Sequence, residues 1–113
     1  MYRQLSDGSF VLDEDTLTTS GTIRVDGKRA FCLDASSGNQ TQTLPALSNT
    51  MKGWECEFTK IDSTANTATL ATSGGNTING ASTYVLSTQY QTVRVKATQM
   101  VGGALQFTVR IKA

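Results

Sequence analysis

Histidine is absent from this 113-residue chain, and proline, cysteine and charge are scarce: one proline, two cysteines and 17% charged residues. Histidine is the most common general base and metal ligand, so its absence narrows the available chemistry. Cys32 and Cys56 lie 24 residues apart with no CxxC motif, which excludes the usual zinc spacings. We expect two buried thiols in strands, and a disulfide between them stays open.

Charge of one sign is also lacking, since ten Lys and Arg stand against nine Asp and Glu. Such a balance creates no field that would attract nucleic acid or an anionic membrane surface. No run approaches the roughly 18 apolar residues of a membrane helix, and the first ten residues contain no signal-peptide core. The sequence therefore predicts synthesis in the cytoplasm, with neither nucleic acid nor a membrane as a partner.

Neutral polar residues take the place of the missing charge, and 18 of them are threonine, which favours strands. Apolar and polar residues alternate most clearly near the C-terminus, a period of two that is typical of half-buried strands. The residues that we predict to form the apolar side of the core strands, and with it a contact between copies of the chain, are Trp54, Phe58, Val93, Val95, Leu105, Phe107, Val109 and Ile111.

About eight short strands are predicted in all, at residues 21–26, 29–34, 40–44, 54–59, 66–71, 83–86, 93–97 and 104–113. Close turn signals such as Asp26-Gly27 and Asn79-Gly80 separate them and favour hairpins. Residues 46–51, after Pro45, are the one candidate for a helical turn. The predicted fold class is all-β: a single antiparallel β-sandwich or jelly-roll-like domain over residues 21–113.

Residues 1–20 differ from the rest, because the acidic run Asp13-Glu14-Asp15 follows only a brief apolar patch. Such a segment buries too little apolar surface to order itself and gains order by lying on a neighbour. We therefore expect an extended N-terminal arm. Its apolar anchors are Tyr2, Leu5, Phe10, Val11 and Leu12.

Candidate catalytic groups are few, and each has a simpler interpretation. Glu55 and Glu57 lie on one side of a strand about 6.5 to 7 Å apart, as a glycosidase pair might, but an outward polar stripe has the same spacing. Neither cysteine has a histidine to activate it, and Asp13-Glu14-Asp15 lacks the glycine and terminal glutamate of a calcium loop. The sequence predicts no enzyme activity, no metal and no cofactor.

Basic residues recur on the last two predicted strands, at Arg94, Lys96, Arg110 and Lys112. If these strands pair, the four form one patch, for which Glu55 and Glu57 on a neighbouring strand are candidate partners. No aromatic residue alternates with these charges to stack bases, so the patch does not indicate nucleic-acid binding.

Residues 21–97 carry a string of matched turns and strands: Leu44-Pro45-Ala46, Lys52-Gly53, Lys60-Ile61-Asp62-Ser63-Thr64-Ala65-Asn66-Thr67, Asn76-Thr77-Ile78-Asn79-Gly80, Tyr84-Val85-Leu86-Ser87-Thr88-Gln89-Tyr90 and Val93-Arg94-Val95. This stretch resembles a module of bacteriophage virion proteins, found in head-decoration, head-fibre and tail-fibre tip proteins. The usual ending differs, because Phe107 stands where the module has a tryptophan. The resemblance implies a homotrimer of β domains.

Size favours one position on the virion over another. A tail fibre carries an attachment region and a long stalk before its tip, whereas about twenty residues precede the β domain here. We therefore expect a capsid decoration (cement) or head-fibre subunit whose arm binds the major capsid protein or another virion protein. The alternative is a tail-fibre tip that recognises host glycans through polar side chains around Tyr84 or Tyr90.

Overall fold

The computed structural model describes the backbone of residues 2–4, 10–12, 14–25 and 29–112, and the side chains of residues 15–25 and 29–111. The described part contains eleven strands and a short 3-10 turn, and no α-helix. The strands are β1 (Tyr2–Gln4), β2 (Phe10–Leu12), β3 (Glu14–Leu17), β4 (Gly21–Thr22), β5 (Ala30–Leu33), β6 (Gln40–Thr43), β7 (Glu55–Lys60), β8 (Ala68–Ala71), β9 (Thr83–Leu86), β10 (Thr92–Gln99) and β11 (Leu105–Lys112). The all-β class is thus confirmed.

Two mixed sheets make up the main body of the protein. The five-stranded sheet has the order β11-β10-β7-β5-β3, and the four-stranded sheet has the order β4-β6-β8-β9. From β3 to β8 the chain alternates between the sheets, so that β3, β5 and β7 stack in parallel in one and β4, β6 and β8 in the other. β9, β10 and β11 then add antiparallel pairs.

The expectation of a mostly antiparallel topology is wrong for these first strands. The turns after β3, β5 and β7 lead each time to the other sheet rather than back along the same one. Each strand therefore pairs with the strand two places later, after a complete circuit, and that pairing is parallel. Turn residues such as Gly38, with φ of 150°, mark where the chain reverses but not which sheet receives it.

One hydrophobic core receives side chains from both sheets. β7 contributes Cys56 and Phe58, β10 contributes Val93, Val95 and Ala97, and the four-stranded sheet contributes residues that include Leu70 and Leu86. Burial follows the predicted period of two in β7 and β10. Trp54 packs edge-on against Phe107, with 6.2 Å between ring centroids, and donates its indole N–H to the carbonyl oxygen of Val25 at 3.1 Å.

All eight predicted strands are present, although the first shrinks to the two residues of β4. The predicted helical turn is a 3-10 turn at Asn49–Met51. Asn79 and Gly80 form the predicted tight turn, with φ of 50° and 86°, between the bridged residues Ile78 and Ala81. β3 was not expected: it lies inside the predicted arm and forms an edge of the five-stranded sheet.

Candidate functional site

The N-terminal segment contains a strand pair of its own. β1 and β2 pair antiparallel, with Tyr2 opposite Leu12 and Gln4 opposite Phe10, in a sheet of two strands. Leu5 lies outside the described residues, and of the other predicted anchors the structure describes only the backbone; these are Tyr2, Phe10, Val11 and Leu12. The segment 1–20 therefore holds a hairpin and the edge strand β3 rather than one extended stretch.

The eight residues assigned to the core strands fall into two groups. Six are buried within a single copy of the chain: Trp54, Phe58, Val93, Val95, Leu105 and Phe107. Val109 is half-buried, and Ile111 is 66% exposed. Since the first six already face the protein's own core, any contact with a second copy has to use other residues, among which Ile111 is a candidate.

Tyr84 and Tyr90, the two tyrosines predicted to recognise glycans, have different surroundings. Tyr84 lies on β9 opposite Leu70, and its half-buried side chain packs against the core. Tyr90 is 76% exposed and has φ of 72°, in the left-handed region that non-glycine residues rarely adopt. Only Tyr90 presents most of its ring to solvent.

The loop that carries Tyr90, residues 87–91, is held by several hydrogen bonds. The Tyr90 N–H donates to the Lys60 carbonyl oxygen at 2.7 Å, and Gln89 Nε2 donates to the Ile61 carbonyl oxygen at 3.1 Å. Gln91 Oε1 accepts from the Ser87 N–H at 3.0 Å. These contacts hold the backbone of the loop and offset the steric cost of the left-handed φ at Tyr90. Tyr90 is thus an exposed aromatic residue on a hydrogen-bonded loop.

A buried ion pair lies beside this loop. Lys60 is fully buried, and its Nζ donates to Asp62 Oδ2 at 3.0 Å, to the Asp62 carbonyl oxygen at 3.0 Å and to the Thr64 carbonyl oxygen at 3.2 Å. Three acceptors satisfy all three ammonium protons, so the charge can be held without water.

Asp62 is equally well supplied with donors. Its carboxylate accepts from the Ala35 N–H at 2.8 Å, from the Thr64 N–H at 3.2 Å and from the Thr64 hydroxyl. Desolvation by burial favours the neutral acid, but hydrogen bonds from Thr64, Ala35 and Lys60 outweigh it and hold the pKa of Asp62 below its usual 3.8. Because its partners favour the charged form, the Asp62 carboxyl is a poor general acid, and the pair orders the corner after β7.

The outer face of the five-stranded sheet carries the predicted charged patch. Arg94 lies opposite Arg110 on β11 and opposite Glu57 on β7, and its guanidinium contacts the Glu57 carboxylate at 3.1 Å. Lys96 lies opposite Glu55. The register therefore places Glu55 and Glu57 opposite basic residues as expected, and of the two acids Glu57 forms an ion pair, with Arg94. A shallow concavity of about 210 Å³ between β7, β10 and β11 contains no further acid.

The two cysteines form no disulfide with each other. Cys32 is half-buried on β5, and Cys56 is buried on β7. Burial raises the pKa of the Cys56 thiol from 9.0 to about 12. A thiol with such a pKa is neutral at physiological pH, so Cys56 has a packing role.

Metal and membrane sites were also sought. Nowhere in the described part of the chain do three or more His, Cys, Asp or Glu side chains come together to hold a metal ion. Over the same residues, the structure has no helix of the length and hydrophobicity that crossing a bilayer requires.

Sequence reasoning missed two buried glutamines on β6. Gln40 Nε2 donates to the carbonyl oxygens of Leu17 at 3.1 Å and Asp34 at 2.9 Å, and Gln42 Nε2 donates to the Thr19 carbonyl oxygen at 2.8 Å and to Gln40 Oε1 at 2.8 Å. The signal was present, because Gln40 and Gln42 share the strand parity of the core residue Leu44. They fix the path of the chain between β3 and β4.

The chain was compared with protein-family models and with curated proteins, and neither comparison found a match. What this protein does is therefore inferred from its residues and their placement.

Proposed function

We propose that this protein is a structural virion component, a capsid decoration or head-fibre subunit, and that it acts without catalysis. Its N-terminal segment binds the major capsid protein or another virion protein, and its β domain forms a homotrimer. In this proposal the two mixed sheets pack as a β-sandwich, and the protein resides on the surface of the phage particle. The resemblance of residues 21–97 to a phage virion module supports this function.

The N-terminal hairpin is the observation that carries the proposal. β1 and β2 form a sheet of only two strands, and β2 contains the apolar sequence Phe10-Val11-Leu12. An isolated two-stranded hairpin is marginally stable in water and needs a hydrophobic surface to pack on. A lattice protein would supply such a surface. Three hairpins in one trimer would bind together with an avidity well above that of one.

The chemistry of the β domain agrees with a role in assembly. The buried charges Lys60 and Asp62 satisfy one another, and Cys56 is neutral in the core. Glu57 is paired with Arg94 on the next strand. Such groups stabilise a shape and offer no activated nucleophile or base.

Removal of the hairpin tests the proposal. A variant lacking residues 1–12 should remain folded and trimeric but lose binding to decoration-free particles, measured by co-sedimentation with the capsids. Replacing Phe10, Val11 and Leu12 with serine should give the same loss, whereas Val101→Ser, a change at an exposed apolar residue outside the arm, should bind normally. Full occupancy of capsids by the truncated trimer would contradict the proposal.

Tyr90 favours a second candidate function, the recognition of host glycans by a tail-fibre tip. An exposed aromatic ring amid Ser, Thr and Gln side chains is a surface on which a sugar ring can stack while its hydroxyl groups are hydrogen-bonded. A glycan array probed with the protein should then give signals that Tyr90→Ser abolishes and Tyr90→Trp retains. An array without signal would remove this candidate.

A further inference from the structure

We propose that neighbouring copies associate head to tail, with the β11 edge of one copy against the β3 edge of the next, and that Ile111 of the first enters an apolar cleft of the second. This inference rests on the trimer of the proposed function and identifies the surfaces that form it. Its occupant is a second copy of this chain.

The two surfaces lie at opposite edges of the same sheet. β3 and β11 are its outermost strands, and none of the described strands pairs with the outer side of either. β7 is parallel to β3 and β5, and β11, two antiparallel steps from β7, runs in that same direction. Copies related by a rotation can therefore bring β11 of one beside β3 of the next with the strands parallel. Contacts of this heterologous kind close into a ring when the rotation between copies closes, as a trimer requires, and otherwise extend as filaments.

Ile111 is the projecting group at the β11 edge. It pairs across the ladder with Val93, which is fully buried, so Ile111 lies on the core side of the sheet. The segment at Thr77 and Asn79 covers the edge beside Phe107 through backbone hydrogen bonds. Further along, Ile111 stays 66% exposed, an apolar side chain at the rim of the core.

The β3 edge offers a cleft of about 340 Å³ on the same side of the sheet. Leu17, Ile23 and Phe31 provide its apolar lining, and the other lining residues are glycine and polar residues that include Asp15 and Arg24. The register aligns Asp15, Phe31, Phe58, Val93 and Ile111 in one row across the sheet. Ile111 of one copy would thus meet the next copy at the level of its cleft, which continues the core across the subunit boundary.

Charge is also complementary between the two edges. The neighbouring row runs Glu14, Ala30, Glu57, Arg94, Arg110, with an acid at the β3 end and a base at the β11 end. Within the row, Glu57 and Arg94 already form an ion pair. Placing the rows end to end would set Arg110 of one copy beside Glu14 of the next, which favours this pairing over a symmetric one of two basic edges.

Side chains rather than a backbone ladder would form the contact. The Thr16 N–H takes the Asp15 carboxylate as its acceptor at 2.9 Å, and the Val109 N–H takes Asn79 Oδ1 at 3.1 Å. Capped edges of this kind resist open-ended strand addition. Insertion of Ile111 into the cleft and pairing of Arg110 with Glu14 would then select the β3 edge as the partner of the β11 edge.

Substitution of Ile111 tests the proposal in the full chain. Ile111→Asp should raise the dissociation constant of the trimer about tenfold or more, measured by sedimentation velocity over a concentration series, because it loses the apolar contact with Leu17, Ile23 and Phe31 and places a second carboxylate near Asp15. Val101→Asp is the matched control, an exposed apolar residue in the turn before β11, and should leave the constant unchanged. Arg110→Glu should weaken the trimer, and Glu14→Arg in the same chain should restore it.

Cross-linking separates this contact from other trimers. In a Cys32→Ser background, mixing an Ile111→Cys chain with an Asp15→Cys chain should yield a disulfide-linked dimer on oxidation, and neither chain alone should. A wild-type monomer would overturn both the trimer and this contact. A trimer that survives Ile111→Asp and Arg110→Glu, or Ile111→Cys chains that link to each other, would overturn the contact and leave the trimer standing.

Discussion

Lys60 and Asp62 place two charges inside a small domain where most buried side chains are apolar. At the scale of single residues, the fold tolerates these buried charges because every buried side-chain polar atom among the described residues has a hydrogen-bond partner. A buried charge that loses its partner costs several times more than an exposed pair contributes. The corner after β7 should therefore be the most sensitive polar site in the protein.

Asp62→Asn should lower the free energy of unfolding by about 3 kcal/mol at pH 7, since it leaves the Lys60 ammonium without its carboxylate. The folded pKa of Asp62 is depressed, so its stabilising contribution is present above 3.8 and is lost as pH falls through the folded pKa. The difference between wild type and variant, measured by urea unfolding from pH 7 down to pH 2, should shrink in that acid range.

Asp34→Asn is the matched control for this experiment. The Asp34 carboxylate accepts from the Ser36 N–H at 3.0 Å, and it has no buried cation as a direct partner among the described residues. Asp34→Asn should change the free energy of unfolding little at pH 7 and at pH 2. Equal losses for Asp34→Asn and Asp62→Asn would contradict the importance of the buried pair.

Substitutions of Tyr90 test whether its left-handed backbone conformation is strained. Tyr90→Gly should be more stable than Tyr90→Ala by about 1 kcal/mol, because both remove the same exposed ring and only glycine adopts φ of 72° without a steric cost. Thermal unfolding of the two variants measures this difference. If alanine proves as stable as glycine, the loop relaxes and the strain is absent.

At the scale of elements, the connection between β3 and β4 depends on β6. Gln40 and Gln42 reach across to the carbonyl oxygens of Leu17 and Thr19, and the Leu17 oxygen also accepts from the Asp34 N–H at 2.9 Å. The strand β4 itself is two residues long and contributes little pairing of its own. The side-chain amides of Gln40 and Gln42 thus supply hydrogen bonds that the backbone of a longer strand would otherwise make.

Gln42→Leu should lower the free energy of unfolding by about 2 kcal/mol, because the Thr19 carbonyl oxygen and Gln40 Oε1 lose a shared donor. Amide hydrogen exchange should accelerate at residues 16–23 more than in β10. Gln99→Leu, the same change at an exposed position, should be close to neutral. Uniform acceleration throughout the protein would mean that Gln42 has no local role.

At the scale of the whole molecule, one core joins both sheets. Its members come from β5, β7, β8, β9, β10 and β11, and Cys56 lies among them. Reagents can reach this thiol only when the sheets separate, since the side chain is almost wholly buried. Cys56 therefore reports on unfolding of the domain as a unit.

In a Cys32→Ser variant, labelling of Cys56 by a thiol reagent should follow the global unfolding transition in urea. The free energy obtained from labelling should equal that from circular dichroism, because no smaller opening exposes the site. A Cys56→Ala variant, which keeps the half-buried Cys32, should label faster without denaturant. Rapid native-state labelling of Cys56 would show that the two sheets open separately.

The strands were predictable because alternation is local. Leu105 and Phe107 turn inward while Gln106 and Thr108 turn outward, and this period of two needs only the sequence to be recognised. Buried and less buried residues alternate in the same way in β7, β8 and β10. The exposure of Tyr90 is also in accord with its place in a Ser-, Thr- and Gln-rich loop.

The charge patch could be foreseen for a similar reason. Arg94 and Arg110 lie on the polar sides of two successive predicted strands, and Glu57 lies on that of a third. Lys60 escaped prediction although its partners Asp62 and Thr64 are close in sequence, because it looks like one more polar end of a strand. Its burial depends on the corner that folds back over it at residues 62–64.

By itself the sequence determined the all-β class, the position of the eight principal strands and, for β7, β10 and β11, which side is apolar, since these follow from neighbouring residues and turn chemistry. Only the tertiary structure decided that the chain alternates between two sheets from β3 to β8, and hence that β3, β5 and β7 are parallel. A turn signal fixes where a chain reverses, but the choice between pairing with the previous strand and crossing to the other sheet depends on how the whole core is filled. That choice also makes β3 and β11 the two edges of one sheet, which no local pattern could reveal.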